Sequence, residues 1–300
     1  MHDQVEHIRS ILAPIARGSS RNIKRISRDL GWKLCQWTAP FRIWPDFIII
    51  GSQKCGTSSL YQYLIQHPWI LPARKKEVHF FDDVNYHQGD NWYRAHFSLA
   101  VYRFYLKWLN RHAIITGEAS PYYLAYPRTP ERVARVMSAV KLIVMLRNPV
   151  DRAFSHYYHQ VRKGRETLSF EAAIEAEDER LRGEREKILQ DENYYSYNFW
   201  AYSYLARGIY VDQLEAWMKY FSKEQFLILR SEDFFSNPEK EFNKALVFLD
   251  IPKHKLQTYS KVNAGSYDKM SVETRKKLMD FFRPYNERLY NLVGQDFEWD

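Results

Sequence analysis

Residues 47–60 read Phe47-Ile48-Ile49-Ile50-Gly51-Ser52-Gln53-Lys54-Cys55-Gly56-Thr57-Ser58-Ser59-Leu60. The continuous apolar run Phe47–Ile50, rich in β-branched residues, predicts a short strand buried on both faces. Gly51 to Gly56 form a turn, and Thr57 to His67 continue as a helix that stops before Pro68. A strand, a glycine-bounded turn and a helix start together make an anion cradle. Glycine lets the backbone turn sharply and approach a ligand closely. Amides at the helix start point at that ligand, and the helix dipole adds partial positive charge. Thr57, Ser58 and Ser59 supply hydroxyl donors, and Lys54 supplies a mobile point charge. The bland alternative is a helix that is merely capped after a tight turn.

Working outward, further apolar runs at Ala113–Thr116, Val140–Leu146 and Phe226–Leu229 predict three more strands. Helices are expected over 130–139, from Pro149 to about Lys163, and over 169–190, 208–221, 238–249 and 271–292, with Pro149 in a first turn. Apolar strands alternating with helices imply an α/β, P-loop-like three-layer fold with a central parallel sheet flanked by helices. Residues 45–300 form this domain. Residues 1–44 read as an N-terminal helical extension: Ile8, Ile11, Leu12 and Ile15 share one helix face, and a basic stretch runs from Arg21 to Arg28. That extension fits a helix packed on the domain or a surface-binding arm. The dense tract Tyr194, Tyr195, Tyr197, Phe199, Trp200, Tyr202 and Tyr204 fits either an acceptor cleft or core packing.

The 300 residues suffice for a sizeable core. A net charge of +8 draws in anions. No run of five or more basic residues occurs, which argues against a nucleic-acid partner. Two cysteines, Cys35 and Cys55, make neither a disulfide framework nor a metal spacing, and so favour a reducing compartment. No apolar run approaches the ~20 residues of a membrane span, and the N-terminus lacks the apolar core of a signal peptide. A cytoplasmic location without a transmembrane segment is therefore expected.

The turn differs from the nucleotide-triphosphate loop G-x-x-x-x-G-K-[ST]. Gly51 and Gly56 keep its spacing, but Thr57 stands where lysine is required and the lysine lies inside the turn at position 54. The strand ending at Leu146 is followed by Arg147, not by an aspartate that could hold Mg²⁺. These features favour sulfuryl over phosphoryl transfer and no metal. A sugar or nucleoside kinase, and a non-catalytic polyanion-binding module, are the rival readings.

Phe47 to Leu60 resembles the 5′-phosphosulfate loop of sulfotransferases that use 3′-phosphoadenosine 5′-phosphosulfate (PAPS). Leu146-Arg-Asn-Pro-Val-Asp-Arg-Ala-Phe-Ser-His-Tyr157 resembles their 3′-phosphate motif. Lys75-Lys-Glu-Val-His-Phe-Phe-Asp82 is similar to a segment of the heparan sulfate sulfotransferases, both the 3-O- and the N- kind, and Leu278 to Trp299 is similar to the family's C-terminal pattern. The resemblance implies that the stretch Cys55, Gly56, Thr57, Ser58 and Ser59 holds the 5′-phosphosulfate and that Lys54 assists the leaving oxygen. It implies that Arg147 and Ser155 bind the 3′-phosphate, with adenosine 3′,5′-bisphosphate as product. It implies Glu77 as general base, with His79 two residues on, on the same side if the segment is extended. His159, four residues after Ser155 and so on one helix face, matches a histidine of the N-sulfotransferase site. Glu77 also fits a surface ion pair with its lysines, and His79 and His159 fit structural histidines equally well. The acceptor implied is a glycan or glycolipid.

The chain also departs from the pattern. Glu118-Ala119-Ser120-Pro121 carries Ala119 where 3-O-sulfotransferases have a lysine. The family's C-terminal Lys-Gly phosphate loop and its flanking disulfide are not seen, and Lys261 to Ser266 is the expected substitute.

Overall fold

The computed structural model describes residues 29–82, 84–260 and 270–299. The Ile8–Ile15 face, the Arg21–Arg28 stretch and the Lys261–Ser266 loop lie outside them. Five strands, β1 (Phe47–Gly51), β2 (Ile70–Pro72), β3 (Ile115–Ala119), β4 (Lys141–Leu146) and β5 (Phe226–Arg230), form one sheet in the order β2-β3-β1-β4-β5. Every pairing is parallel. The longer helices are α1 (Thr57–Leu64), α2 (Ala100–Asn110), α3 (Thr129–Val136), α4 (Pro149–Arg162), α5 (Tyr210–Met218), α6 (Pro238–Phe248) and α7 (Val272–Val293).

β1 shows why a run of four apolar residues suits the centre of such a sheet. Ile48 and Ile50 face a core shared with Trp217 of α5 and Leu289 of α7. Phe47 and Ile49 face a second core with Leu60 and Leu64 of α1 and Phe242 and Leu246 of α6. Both faces are covered, so alternation disappears from the sequence.

Two expectations need correction. The strand placed at Ala113–Thr116 lies at Ile115–Ala119 and carries Gly117 and the fully buried Glu118. Gly117 is there because a Cβ would sit 2.5 Å from the Phe47 ring. The continuous helix at 169–190 is three pieces, Phe170–Glu175, Glu177–Leu181 and Glu184–Gln190, the last entered through Gly183 at φ 71°. The run leaves helical geometry at Arg182 (ψ 117°) and Gly183, and Glu177 turns inward, where it accepts from the amides of Leu205 (2.7 Å) and Ala206 (2.8 Å). The short edge strand β2 and helix α2 were not anticipated.

Candidate active site

The phosphate loop leaves the carboxyl end of β1, and the first residues after β4 lie beside it. Open parallel sheets bind ligands at these carboxyl ends. Lys54 adopts φ 75° and Gly56 φ 91°. A side chain at position 56 would also press on the Phe235 ring, 3.0 Å from its Cβ. No side chain caps the start of α1 at Gly56, so its first amides remain available for an anion. Ser231 fixes the loop by donating to the Cys55 carbonyl at 2.8 Å. Tyr210 of α5 donates to the Arg147 carbonyl at 2.8 Å. Cys55 is buried and points inward, so it would serve a ligand through its backbone.

Positive charge concentrates here. The Arg147 guanidinium reaches the Lys54 carbonyl at 3.5 Å. Burial first, then the charges of Arg162, Arg147 and Arg152, lower the Lys54 ammonium to about 8. Among the described residues no carboxylate is hydrogen-bonded to Lys54. Ser155, almost fully buried, and His159, half-buried, lie one turn apart on α4. Burial, and next the Lys54 charge, lower His159 to about 4, so it is a neutral imidazole at pH 7.

Two arginines that sequence reasoning passed over deepen the field. Arg152 is fully buried, donates to the carbonyls of Ser203 (3.3 Å) and Tyr204 (2.6 Å), and leaves Nε and Nη1 without a partner. Arg207, also buried, donates to Gln53 at 2.6 Å and lies 4.4 Å over the Tyr122 ring. Arg152 was legible, being five residues beyond Arg147 in the quoted motif; Arg207 stands in no motif.

A second cluster lies at the carboxyl end of β3, the strand next to β1. The segment is not extended: Glu77 (φ 59°) and His79 (φ 53°) are both left-handed. The turn nevertheless brings them together, with His79 Nε2 3.6 Å from Glu77 Oε2. Nδ1 of the same ring is 2.8 Å from buried Asp82. Lys76 forms the ion pair with Glu77 that the alternative reading allowed. Burial alone would raise Glu77; the His79 hydrogen bond and Lys76 overcome it and hold the carboxyl at about 2. Burial alone would lower His79; Asp82 and then Glu77 hold it at about 10. Asp82 was visible as an i+3 partner of His79 and was not singled out.

The turn is hung on Glu118. Its carboxylate accepts from Ser120 Oγ (2.7 Å), Tyr93 (2.8 Å), Tyr123 (3.1 Å) and the Val78 amide (3.3 Å). Ser120 Oγ in turn accepts from the His79 amide at 3.3 Å, and Tyr123 OH from the Phe80 amide at 2.9 Å. The Glu77 amide donates to the Ala119 carbonyl at 3.1 Å. Ala119 itself is fully buried and paired with Ile49. The aromatic tract divides: Phe199 and Tyr204 are core, and Tyr195 and Tyr197 are exposed.

An uncapped helix start, an uncompensated lysine and a strand-end arginine suit a polyanionic donor. The sulfotransferase domain model matches residues 44–284. The chain belongs to the sulfotransferase family. This sulfotransferase is 33% identical to a solved sulfotransferase from Alicyclobacillus acidocaldarius, with a TM-score of 0.65 over 86% of this chain and 99% of that one. It is 31% identical to heparan sulfate glucosamine 3-O-sulfotransferase 5 of Mus musculus over 85% of this chain and 74% of the relative. It is 29% identical to the membrane-associated sulfotransferase kil1 of Dictyostelium discoideum over 85% of this chain and 66% of that protein. Sulfonate transfer from PAPS follows from the family. Among the described residues no group of three or more His, Cys, Asp or Glu is placed to hold a metal, and no helix is long and apolar enough to cross a membrane.

Proposed function

We propose that this sulfotransferase transfers the sulfonate of PAPS to a hydroxyl or amine of a carbohydrate, free or lipid-linked, with Glu77 as general base. The observation that carries this reading is the pairing of two clusters at neighbouring strand ends: a cationic anion cradle after β1, and a carboxylate–imidazole–carboxylate array after β3. Bound PAPS would supply the electrophilic sulfur and a phosphate leaving group. The amides of Gly56, Thr57 and Ser58 and the hydroxyls of Thr57, Ser58 and Ser59 would hold its 5′ end, and Arg147 and Ser155 its 3′-phosphate.

Glu77 takes the acceptor proton as the new bond to sulfur forms. Lys54 stabilises the charge that develops on the leaving oxygen as the old bond breaks. His79, kept cationic by Asp82, orients the Glu77 carboxylate. No step requires a metal. The carbohydrate acceptor is supported by the relatives named for heparan sulfate and by the exposed rings of Tyr195 and Tyr197, which suit sugar faces. Cys35 and Cys55 are free thiols, which fits a cytoplasmic setting.

The test is incubation with sulfur-labelled PAPS and fractionated host glycans and glycolipids. Label should enter a carbohydrate fraction and vanish with Glu77→Gln, while that variant still binds adenosine 3′,5′-bisphosphate. Label appearing only in non-carbohydrate metabolites overturns the acceptor class. Near-normal transfer by Glu77→Gln overturns the base.

A further inference from the structure

Helix α2 carries Val101, Phe104, Tyr105, Trp108 and Leu109, the i, i+3, i+4, i+7, i+8 spacing by which a helix normally turns an apolar stripe into a core. Here the stripe faces outward. These five side chains are between 53% and 71% exposed, and α2 buries no residue. The opposite side, with Arg103 and Leu106, is the half-buried one. Arg103 ties it down through Asp46 at 2.8 Å, immediately before β1.

A second exposed apolar row adjoins it. In the helical residues 29–37, Leu30, Leu34 and Trp37 are at least 58% exposed, while Trp32 turns inward, 5.9 Å from Trp92. Phe41 follows, 71% exposed. The antiparallel bridge Arg42–Leu99 places Phe41 opposite the first residue of α2, so the two rows meet. Such a contiguous patch on a soluble domain marks an interaction surface.

Charge decides among its possible partners. With Arg103 neutralised by Asp46, the two segments 29–41 and 100–112 still carry Lys33, Lys107 and Arg111 against the single acid Asp29. A second copy would bring these like-charged rims together. Residues 1–28 are themselves basic, with Arg9, Arg17, Arg21, Lys24, Arg25 and Arg28 against Asp3 and Glu6, and would be repelled by the same rim. An anionic lipid surface attracts both, and aromatic residues flanked by Lys and Arg are the composition that settles in the lipid headgroup region.

We infer that the face built from α2 and residues 29–41 docks this enzyme peripherally on an anionic membrane. Helix α2 is anchored at the amino ends of the strands through Asp46, and residues 29–37 run along the flank of the domain, with Trp32 against Trp92 and Arg74. The phosphate loop and the Glu77 turn lie at the carboxyl ends, away from the Asp46 anchor of α2.

The test is sedimentation of the full-length chain with phosphatidylcholine vesicles, with and without one-quarter phosphatidylglycerol, together with sedimentation equilibrium in the absence of lipid. The chain should bind the anionic vesicles, at least tenfold more weakly after Phe104→Ser with Trp108→Ser, and more weakly in 0.5 M salt. The same double variant should keep its thermal shift with adenosine 3′,5′-bisphosphate and its turnover of a soluble acceptor. Absence of vesicle binding by the unaltered chain overturns the inference. So does binding unchanged in the double variant, or a dimer that the double variant dissociates, which would assign the face to a second copy.

Discussion

Lys54 is unusual in being a cation set among cations. Burial lowers its ammonium most, and Arg162, Arg147 and Arg152 disfavour its charge further, to about 8. A free lysine titrates near 10.4. In the proposed mechanism the charged form is the one that binds the donor and stabilises the leaving oxygen, so kcat/KM for PAPS should fall as pH rises through about 8. The matching limb in kcat should lie higher, because a bound polyanion restores the proton. Lys54→Ala should reduce kcat by ~10²–10³-fold, the usual size for losing one preorganised charge-stabilising donor, with a much smaller effect on binding of adenosine 3′,5′-bisphosphate by calorimetry. Equal losses in both would make Lys54 a binding group only.

Glu77 poses the complementary problem: at about 2 a carboxylate is a weak base. The His79 hydrogen bond is the first reason and the neighbouring Lys76 the second. Lys76→Met should therefore raise the Glu77 pKa and move the acid limb of kcat/KM for the acceptor to higher pH, since activity is lost as pH falls through that value. A profile that stays in place would show that Lys76 already disengages in the working complex.

At the scale of elements, the buried end of β3 does the positioning. Glu118 gathers four donors; it holds the Val78 amide directly and the amides of His79 and Phe80 through Ser120 and Tyr123. Burial pushes the Glu118 carboxyl upward against those hydrogen bonds. Glu118→Gln keeps the shape but turns a donor toward groups that already donate. It should cost about 1–3 kcal/mol of stability, the penalty for an unsatisfied buried polar group, and lower kcat more than nucleotide affinity. If the loss of kcat is merely structural, the variant's pH profile keeps the wild-type limbs; a positioning role requires the acid limb to move as the His79–Glu77 contact loosens.

This arrangement also explains what could be read in advance. The loop was legible because glycine, lysine and hydroxyl residues have few other reasons to crowd between a strand and a helix. The expected Lys54, Arg147 and His159 are brought to one locality, and Glu77 and His79 to a second. β3 was misplaced because Gly117 and Glu118 suit a strand only once Phe47 and the three hydroxyls are known to surround them. Such reasons are tertiary. Helix α2 escaped notice for a related cause: short and unusually aromatic, it has an apolar stripe that describes a partner outside the fold.

On the scale of the whole molecule, Phe297 and Trp299 pack on the side of the sheet that carries Arg147. Trp299 is buried against Tyr210, 5.9 Å between ring centres, and stacks on Phe297 at 4.7 Å. Its carbonyl accepts from Asn148 at 3.4 Å, next to Arg147, and its indole donates to Glu232 at 3.4 Å. Glu232 also accepts the Asn148 amide at 2.9 Å. Trp299 thus braces the turn between β4 and α4 from which the 3′-phosphate would be held. Trp299→Ala should cost ~3–5 kcal/mol, as large buried aromatics do, and lower the melting temperature accordingly. Because the brace ends at Arg147, adenosine 3′,5′-bisphosphate should bind the variant more weakly, while adenosine 5′-phosphate, which lacks the 3′ group, should bind it as it binds the unaltered chain. Stabilisation by ligand grows as RT ln(1 + [L]/Kd), so thermal shifts at matched concentrations read the two affinities directly. A variant that loses both nucleotides equally would show that Trp299 serves the core and not the 3′-phosphate site.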